Sequence, residues 1–152
     1  MKSLALNMLG NRTDAEDAVQ EAFLRAYRGR DAFRSDAALW TWVYRILLNA
    51  CHDIGRRRGA RRGEEALDDA APELEATGSN HPLRLTIERA VAALAPIYRD
   101  VFLLCEVEGH SHREVAEILQ IAEGTSKARL FEAKRRLRTA VRAETPTVEV
   151  KP

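Results

Sequence analysis

The sequence predicts an all-α protein built from two small helical domains joined by a flexible acidic linker. Apolar residues recur every three or four positions almost throughout the 152 residues, and no stretch alternates apolar and polar side chains as a half-buried strand would. Between residues 59 and 82 the pattern stops, because Gly, Pro, Ala, Asp and Glu dominate there and Phe, Tyr and Trp are absent. Such a composition cannot bury a core, so this segment is predicted to be the linker.

The first domain is predicted to cover residues 1–58 and to contain two long helices. Thr13 and Glu16 have the spacing of a capping box at the start of the first helix, and Gly29 ends that helix. After a turn, the second helix is predicted to run from about residue 37 to residue 58. Its buried face is predicted to contain Leu39, Val43, Ile46, Leu47, Ala50 and Ile54.

The second domain is predicted to cover residues 83–142, with residues 143–152 as a tail. Its periodicity indicates four helices, over residues 83–94, 96–107, 111–119 and 123–142. Ser111 and Glu114 give the third of these helices a capping box, and a tight turn follows it at residues 120–122. A short helix, a tight turn and a longer basic helix are the arrangement of a helix-turn-helix, whose second helix enters the major groove of DNA.

The formal net charge of +1 conceals two basic clusters with an acidic stretch between them. The first cluster contains Arg56, Arg57, Arg58, Arg61 and Arg62, and the second contains Lys127, Arg129, Lys134, Arg135, Arg136, Arg138 and Arg142. Such surfaces are typical of proteins that bind phosphate backbones, although solvated ends of arginine-rich helices are the alternative interpretation. In the last helix we expect Arg129 and the later arginines, including Arg135, to meet phosphates. The residues better placed for base edges are Lys127, Ala128, Phe131 and Glu132.

Other classes of function find little support in the sequence. No apolar run approaches the ~20 residues that a membrane-spanning helix needs, and Cys51 and Cys105 lie far apart within apolar helical patterns, which favours a reducing cytoplasm over a disulfide. Cys105, His110 and His112 are too few to make a convincing metal site, so we interpret them as core and surface residues. Because phosphate-binding glycine loops and catalytic triads are absent, we expect no enzymatic activity, cofactor, metal or small-molecule substrate.

Short motifs in both domains resemble extracytoplasmic function (ECF) sigma factors, the promoter-reading subunits of bacterial RNA polymerase. Region four of that family has roughly the pattern LPxxxRxVF, then EGxSxxEIA and GTxKSRL. Here residues 94–102 read LAPIYRDVF, residues 108–116 read EGHSHREVA, and residues 124–130 read GTSKARL. Region two is matched by DAEDAVQEAF at residues 14–23 and by WVYRILLN at residues 42–49, followed by Asp53 and the arginines at 56–58.

The resemblance implies a role for each domain. Region two of the family binds core polymerase through an acidic and amide face, which corresponds here to Asp17, Gln20 and Glu21. The same region melts the −10 element and holds a flipped base, and the residues implied for this are Phe33, Arg34, Ser35, Asp36, Trp42, Tyr44, Asn49, Arg56 and Arg57. Flipping a base costs a few kcal/mol, which stacking and edge hydrogen bonds must offset. Region four reads the −35 duplex, and an anti-sigma protein that clamps the domains together is the expected regulator.

Several positions have a structural alternative or depart from the family. The alternative role of the aromatic residues Phe33, Trp42 and Tyr44 is packing in the core. The alternative role of Asn49 is to cap a break in the helix. Trp40 stands where the family usually has a polar residue, which predicts either an exposed stacking surface or packing on the neighbouring loop.

Two departures fall in the helix-turn-helix itself. Ala122 replaces a serine that commonly caps the recognition helix, and Glu132 replaces an arginine, so the −35 preference is expected to differ from that of typical members. The first residues align with the middle of the family's first helix, which predicts an earlier native start or fewer polymerase contacts.

A stand-alone helix-turn-helix regulator is the alternative function. Such a protein would need a ligand pocket or a phosphoacceptor domain before the helix-turn-helix. The segment before the linker offers fewer than about 60 residues of arginine-ended helix instead. This N-terminal domain therefore favours a sigma factor over a regulator.

Overall fold

The computed structural model describes residues 1–33, 38–65 and 82–144, and over these ranges it contains seven α-helices and no strand. The all-α prediction is confirmed. The helices are α1 (Lys2–Leu9), α2 (Arg12–Arg28), α3 (Leu39–Glu65), α4 (Pro82–Ala93), α5 (Pro96–Phe102), α6 (His112–Leu119) and α7 (Glu123–Glu144). A short 3₁₀ turn at Arg30–Ala32 follows α2, and a π-helical turn at Leu103–Val107 continues α5. No helix in the described ranges is long and apolar enough to cross a membrane.

The start of α2 differs from the prediction. Asn11 is the N-cap, because its side chain accepts a hydrogen bond from the backbone N–H of Asp14 at 2.8 Å. The capping box expected from Thr13 and Glu16 is therefore wrong. Gly10 ends α1 in the left-handed conformation, with φ of 74°, so the chain turns one residue before Asn11, which then stands directly before the first residue of α2. The predicted end at Gly29 is confirmed.

Helix α3 begins at Leu39, close to the predicted residue 37, and ends at Glu65, well beyond the predicted residue 58. Leu39 is 53% exposed and was wrongly assigned to the core, whereas Val43, Leu47 and Ala50 are buried as expected and Ile46 and Ile54 are half-buried. Gly29, just after α2, lies beside the Trp42 ring, so α2 stops before it can cover the first turn of α3.

At its other end α3 continues through residues 59–65, which we had assigned to the linker. Helical glycines cost about 1 kcal/mol each relative to alanine, yet Gly59 and Gly63 lie among arginines with high helix propensity. Pro82, the last residue assigned to the linker, is the first residue of α4. Residues 66–81 of the linker and residues 145–152 of the tail lie outside the described part of the chain.

The helices form two bundles that also pack against each other. In the first bundle, α1, α2 and α3 bury a core that includes Leu4, Ala18 and Leu47. In the second bundle, α4 to α7 and the π-helical turn bury Leu104 and Ile118, among others. Helix α1 packs against α4 and the π-helical turn, and α3 packs against α6, so the apolar core is continuous from one bundle to the other.

Candidate nucleic-acid interface

Helices α6 and α7 form the predicted helix-turn-helix. At the start of α6, Ser111 Oγ accepts from the Glu114 N–H at 3.3 Å and Glu114 Oε2 accepts from the Ser111 N–H at 2.8 Å, which confirms the capping box. The hydrogen bonds that the Glu114 carboxylate accepts from the Ser111 N–H and from the Ser111 hydroxyl lower the pKa of Glu114. Gln120 forms the turn in the left-handed conformation, with φ of 55°, and α7 begins three residues later at Glu123. Helix α7 buries Ser126, Ala133 and Leu137 and leaves Lys127, Phe131 and Arg135 exposed.

A polar network that the sequence did not reveal fixes the two helices to the π-helical turn. Ser126, on α7, is fully buried, and its Oγ lies 2.9 Å from Nδ1 of His112 on α6. The same Nδ1 lies 3.9 Å from Sγ of Cys105, and burial raises the pKa of that thiol. His110 instead packs its ring edge-on against Tyr44. The described residues contain no group of three or more His, Cys, Asp or Glu that could hold a metal ion.

The outer face of α7 carries most of the residues predicted for −35 recognition. Lys127, Phe131 and Arg135 follow one another at intervals of four, so they share one face of the helix, and all three are exposed. Phe131 has 67% of its surface exposed, and Ala128 beside it is exposed as well. This combination of cations and an apolar ring facing solvent is suited to a nucleic-acid groove.

Glu132 lies on the edge of this face and is already paired. Its carboxylate accepts two hydrogen bonds from Arg135, at 2.7 and 2.8 Å, and one from Arg136 at 2.7 Å. The two guanidinium groups lower the pKa of Glu132 to about 2. The carboxylate therefore offsets the charge of both arginines, of which Arg136 also lies over the Tyr98 ring, 4.3 Å from its centroid.

Arg129 lies on a different side of α7 from Lys127 and Phe131. Because each residue advances about 100° around a helix, two residues separate Arg129 from Phe131 by roughly half a turn. Arg129 is half-buried and lines a cavity of about 300 Å³ between the two bundles, together with Asn49 and Arg45 of α3.

The residues predicted for −10 recognition are divided between solvent and packing. The Phe33 and Trp42 rings lie 5.2 Å apart and tilted by 44°, and both are half-buried. Trp40 has 63% of its surface exposed, and Asn49 is also exposed. The predicted residues Arg34, Ser35 and Asp36 lie outside the described part of the chain.

Tyr44 does not face solvent freely. Its hydroxyl donates to Oε2 of Glu108, in the second bundle, at 2.6 Å. Burial, together with this hydrogen bond, raises the pKa of Tyr44.

The arginines near the middle of α3 are partly held by carboxylates. Arg56 pairs with Asp53, which also accepts from Arg25 at 3.0 Å, and the two guanidinium groups lower the pKa of Asp53. Arg58 donates to Asp14 at 2.9 Å and so joins α3 to the start of α2. Arg57 is exposed. Arg56 and Arg57, the two arginines predicted to contact the −10 element, are therefore both exposed to solvent.

The residues predicted for polymerase binding lie together on α2. Asp17, Gln20 and Glu21 line one shallow groove beside α3, with Asp17 and Gln20 exposed. Glu21 accepts a hydrogen bond from Arg25 at 2.8 Å through one of its two carboxylate oxygens. The structure therefore brings the three side chains to one surface.

The contact between the bundles is the part of this site that the sequence did not predict. Arg45 of α3 donates to the backbone oxygen of Glu117 at 2.6 Å and to that of Ile118 at 3.3 Å. Further along α3, Nε2 of His52 lies 3.0 Å from Oδ2 of Asp100, which is only 5% exposed. No short motif encodes such pairs, because their members are far apart in the sequence. His52 and Asp100 are 48 residues apart, and Arg45 and Ile118 are 73 residues apart.

The two bundles, with a helix-turn-helix in the second and a groove of paired carboxylates and arginines in the first, have the architecture of a two-domain DNA-binding protein. Residues 1–62 match the family described as Sigma-70 region 2, and residues 84–137 match Sigma-70, region 4. The chain belongs to the ECF RNA polymerase sigma factors, as the sequence motifs had indicated, and this family comprises transcription initiation factors.

Two curated relatives establish that membership. The chain is 37% identical over 134 residues to the ECF RNA polymerase sigma factor SigM of Mycobacterium tuberculosis, covering 87% of this chain and 67% of that protein. It is 33% identical over 134 residues to the ECF RNA polymerase sigma-E factor of Escherichia coli K12, covering 80% of this chain and 70% of that protein.

Solved structures share the arrangement of the two bundles. The sigma factor RpoE in complex with the anti-sigma factor NepR, from Bartonella quintana, aligns with a TM-score of 0.73 at 24% identity, over 95% of this chain and 91% of that chain. CnrH in complex with the cytosolic domain of CnrY aligns with a TM-score of 0.72 at 26% identity, over 95% of this chain and 81% of that chain.

Proposed function

We propose that this chain directs RNA polymerase to promoters and initiates transcription there. In this proposal the first bundle binds core polymerase through Asp17, Gln20 and Glu21 and holds the melted −10 strand. The second bundle reads the −35 duplex with the outer face of α7. The observation that carries the proposal is that face, where Lys127 and Arg135 flank an exposed Phe131 on a capped helix-turn-helix.

The division of labour within the −35 reader follows from where its side chains lie. Lys127, Ala128 and Phe131 occupy the N-terminal half of α7, the part of a recognition helix that reaches base edges. Arg135 lies one turn further along, where a guanidinium meets a phosphate. Glu132, paired with its neighbouring arginines, tunes that phosphate contact more than it reads a base.

For the −10 strand we propose stacking and edge contacts from α3. Asn49 and Trp40 are exposed and can meet an unstacked base, and Arg56 and Arg57 supply cations for its backbone. Phe33 and Trp42 pack on each other, which supports a role in shaping the neighbouring loop.

We further propose that an anti-sigma protein controls the chain in the cytoplasm. Support comes from the solved relatives, since RpoE is bound to the anti-sigma factor NepR and CnrH to the cytosolic domain of CnrY. In this proposal the chain acts through binding, without an enzymatic activity or a cofactor of its own.

Reconstituted transcription tests the polymerase surface. Purified chain and core polymerase are mixed with genomic DNA, and the transcripts are sequenced to find the promoters. Asp17→Lys should lower transcription by about tenfold or more, because an attractive contact at a protein interface becomes repulsive. Glu16→Lys makes the same charge change at the adjacent exposed position of α2 and should change transcription by less than about twofold.

The proposal fails if wild-type chain and polymerase yield no specific transcripts. It also fails in its assignment of the polymerase surface if Asp17→Lys and Glu16→Lys behave alike.

A further inference from the structure

An open cavity of about 860 Å³ has walls from α1, α2 and α3 of the first bundle and from α5 of the second, and arginines dominate its charged lining. Cavities of this size hold small ligands in many proteins. We propose that this cavity binds an oligophosphate, a chain of phosphoryl groups that is either inorganic or carried by a nucleotide. The binding stands apart from the proposed function, whereas its effect on transcription rests on that function.

Four arginines and one carboxylate line the cavity. Arg25, Arg56 and Arg58 come from the first bundle and Arg99 from α5, and Asp53 is the one acidic residue in the described lining. The lining therefore has a surplus of three positive charges. An oligophosphate carries negative charges on neighbouring phosphoryl groups, and the planar fork of a guanidinium group can donate two parallel hydrogen bonds to each.

Two of these arginines are held by carboxylates that lie outside the cavity. Arg25 donates to Glu21 at 2.8 Å and Arg58 donates to Asp14 at 2.9 Å, and neither acid lines the cavity. Because the ion pairs fix the guanidinium groups in advance, less side-chain freedom is lost when a ligand binds. A guanidinium group has five N–H donors, so these pairs still leave donors for an anion.

Arg99 is the arginine of the cavity with the weakest pairing. Its Nε atom is buried and has no hydrogen-bond partner among the described residues. Its Nη1 atom donates to the backbone oxygen of Ala92 at 3.3 Å, a neutral acceptor at a long distance. A buried cationic donor without a partner is destabilising. An anion bound at this guanidinium group would supply the charge that its described surroundings lack.

Gly55 lies inside α3 at the wall of the cavity. Glycine inside a helix is less stable than alanine, yet a methyl group at this position would not clash. The nearest atom, in the Leu9 side chain, would lie 3.9 Å from it, which is an ordinary contact. Packing therefore gives no reason for a glycine here, whereas a bare backbone beside the arginines lets an anion approach α3 closely.

Two residues of the cavity are also proposed to contact the −10 strand. Asn49 and Arg56 line the cavity, so a bound oligophosphate and the strand would compete for them. Arg58 and Arg99, which the −10 proposal does not use, are half-buried and complete the site for a small anion. Occupancy of the cavity should therefore reduce promoter use when oligophosphate is abundant.

Isothermal titration calorimetry on the full chain without polymerase tests the binding. Sodium tripolyphosphate should bind at one site, and inorganic phosphate should bind at least about tenfold more weakly because it can meet fewer of the arginines. Adenosine and guanosine, which carry no phosphate, should not bind. If adenosine or guanosine triphosphate binds more tightly than tripolyphosphate, the ligand is a nucleotide. Equal or weaker binding of both nucleotides identifies an inorganic oligophosphate.

Two variants locate the site. Arg99→Gln should weaken tripolyphosphate binding roughly tenfold, the effect of losing a hydrogen bond between charged groups. Arg28→Gln removes the same charge from an exposed position of α2 outside the cavity and should change the affinity by less than about twofold. Gly55→Ala should raise the midpoint of thermal unfolding and yet weaken binding, because its methyl group stabilises α3 and occupies the approach to it. These opposite signs distinguish a ligand site from a general loss of structure.

The site is overturned if tripolyphosphate and the nucleotides all fail to bind, or if Arg99→Gln and Arg28→Gln behave alike. Unchanged binding by Gly55→Ala would also contradict it. Reconstituted transcription at fixed free magnesium then tests the competition, since tripolyphosphate should inhibit wild-type chain more than Arg99→Gln, and equal inhibition would refute the competition. Failure of the proposed function differs, because specific transcripts would be missing even without tripolyphosphate while calorimetry still reports binding.

Discussion

The two helices of the helix-turn-helix differ in their N-terminal caps. This difference predicts that Ser111→Ala and Ala122→Ser change the free energy of unfolding in opposite directions. Ser111 caps α6 through its hydroxyl, whereas Ala122 precedes α7 and offers only its backbone oxygen, which accepts from Ser126 N–H at 3.1 Å. Both positions are exposed. Ser111→Ala and Ala122→Ser therefore change a cap without opening a cavity or creating a clash.

The magnitudes follow from the hydrogen bonds at each cap. Ser111→Ala should lower the free energy of unfolding by about 1 kcal/mol, the usual cost of losing an N-cap oxygen. Ala122→Ser should raise it by about 0.5 to 1 kcal/mol, at the lower end because Thr125 stands where a capping box has Glu or Gln. With a urea m-value of about 2 kcal/mol/M, the midpoints should move by roughly 0.3 to 0.5 M in opposite directions.

Equilibrium urea denaturation followed by far-ultraviolet circular dichroism measures both shifts. Ala122→Val is the control, because it enlarges the side chain without adding a hydrogen-bond acceptor and should give no gain in stability. The reasoning is refuted if Ala122→Ser leaves the midpoint unchanged or lowers it while the m-value stays constant. Equal stabilisation by Ala122→Val and Ala122→Ser would likewise show that capping does not cause the gain in stability.

Three further predictions concern α7 and the core of the second bundle. Glu132→Gln releases two arginines, so the plot of log K for DNA against log salt should become steeper by about 1 to 2, and an unchanged slope would contradict the pairing. In the double variant Arg135→Gln/Arg136→Gln, the pKa of Glu132 should rise from about 2 toward the ordinary 4.5. Because this pKa is lowered in the folded protein, the attraction is present above pH 4.5 and is lost as the pH falls toward 2, which carboxyl NMR titration can follow. Leu104→Ala, at a fully buried side chain, should destabilise the protein by about 2 to 5 kcal/mol in thermal denaturation, whereas half-buried Ile121→Ala should cost clearly less.

The helix-turn-helix was predictable from sequence because its signals are local. The capping box of Ser111 and Glu114 and the tight turn that follows involve residues within a few positions of each other, and both are confirmed. The start of α2 was missed for a related reason, since Asn11 competes with Thr13 for the cap and only the turn at Gly10 decides between them.

The surroundings of the site depend on contacts that periodicity cannot encode. Leu39 fits the apolar stripe of α3, yet it lies beyond the end of α2 and remains exposed. Tyr44 and Arg129 were predicted to face DNA from their positions in two motifs, and the structure places both at the contact between the bundles. Whether they also contact DNA stays a prediction.

Because α3 continues as a helix to Glu65, the segment that connects the two bundles is short. Only residues 66–81 separate Glu65 from Pro82, and covalent geometry limits a segment of that length to a reach of at most roughly 60 Å. Residues 59–65 add only about 10 Å, because a helix advances 1.5 Å per residue, whereas the same residues fully extended would add more than twice that. The helical end of α3 therefore limits how far apart the two bundles can lie more tightly than an extended segment of the same length would.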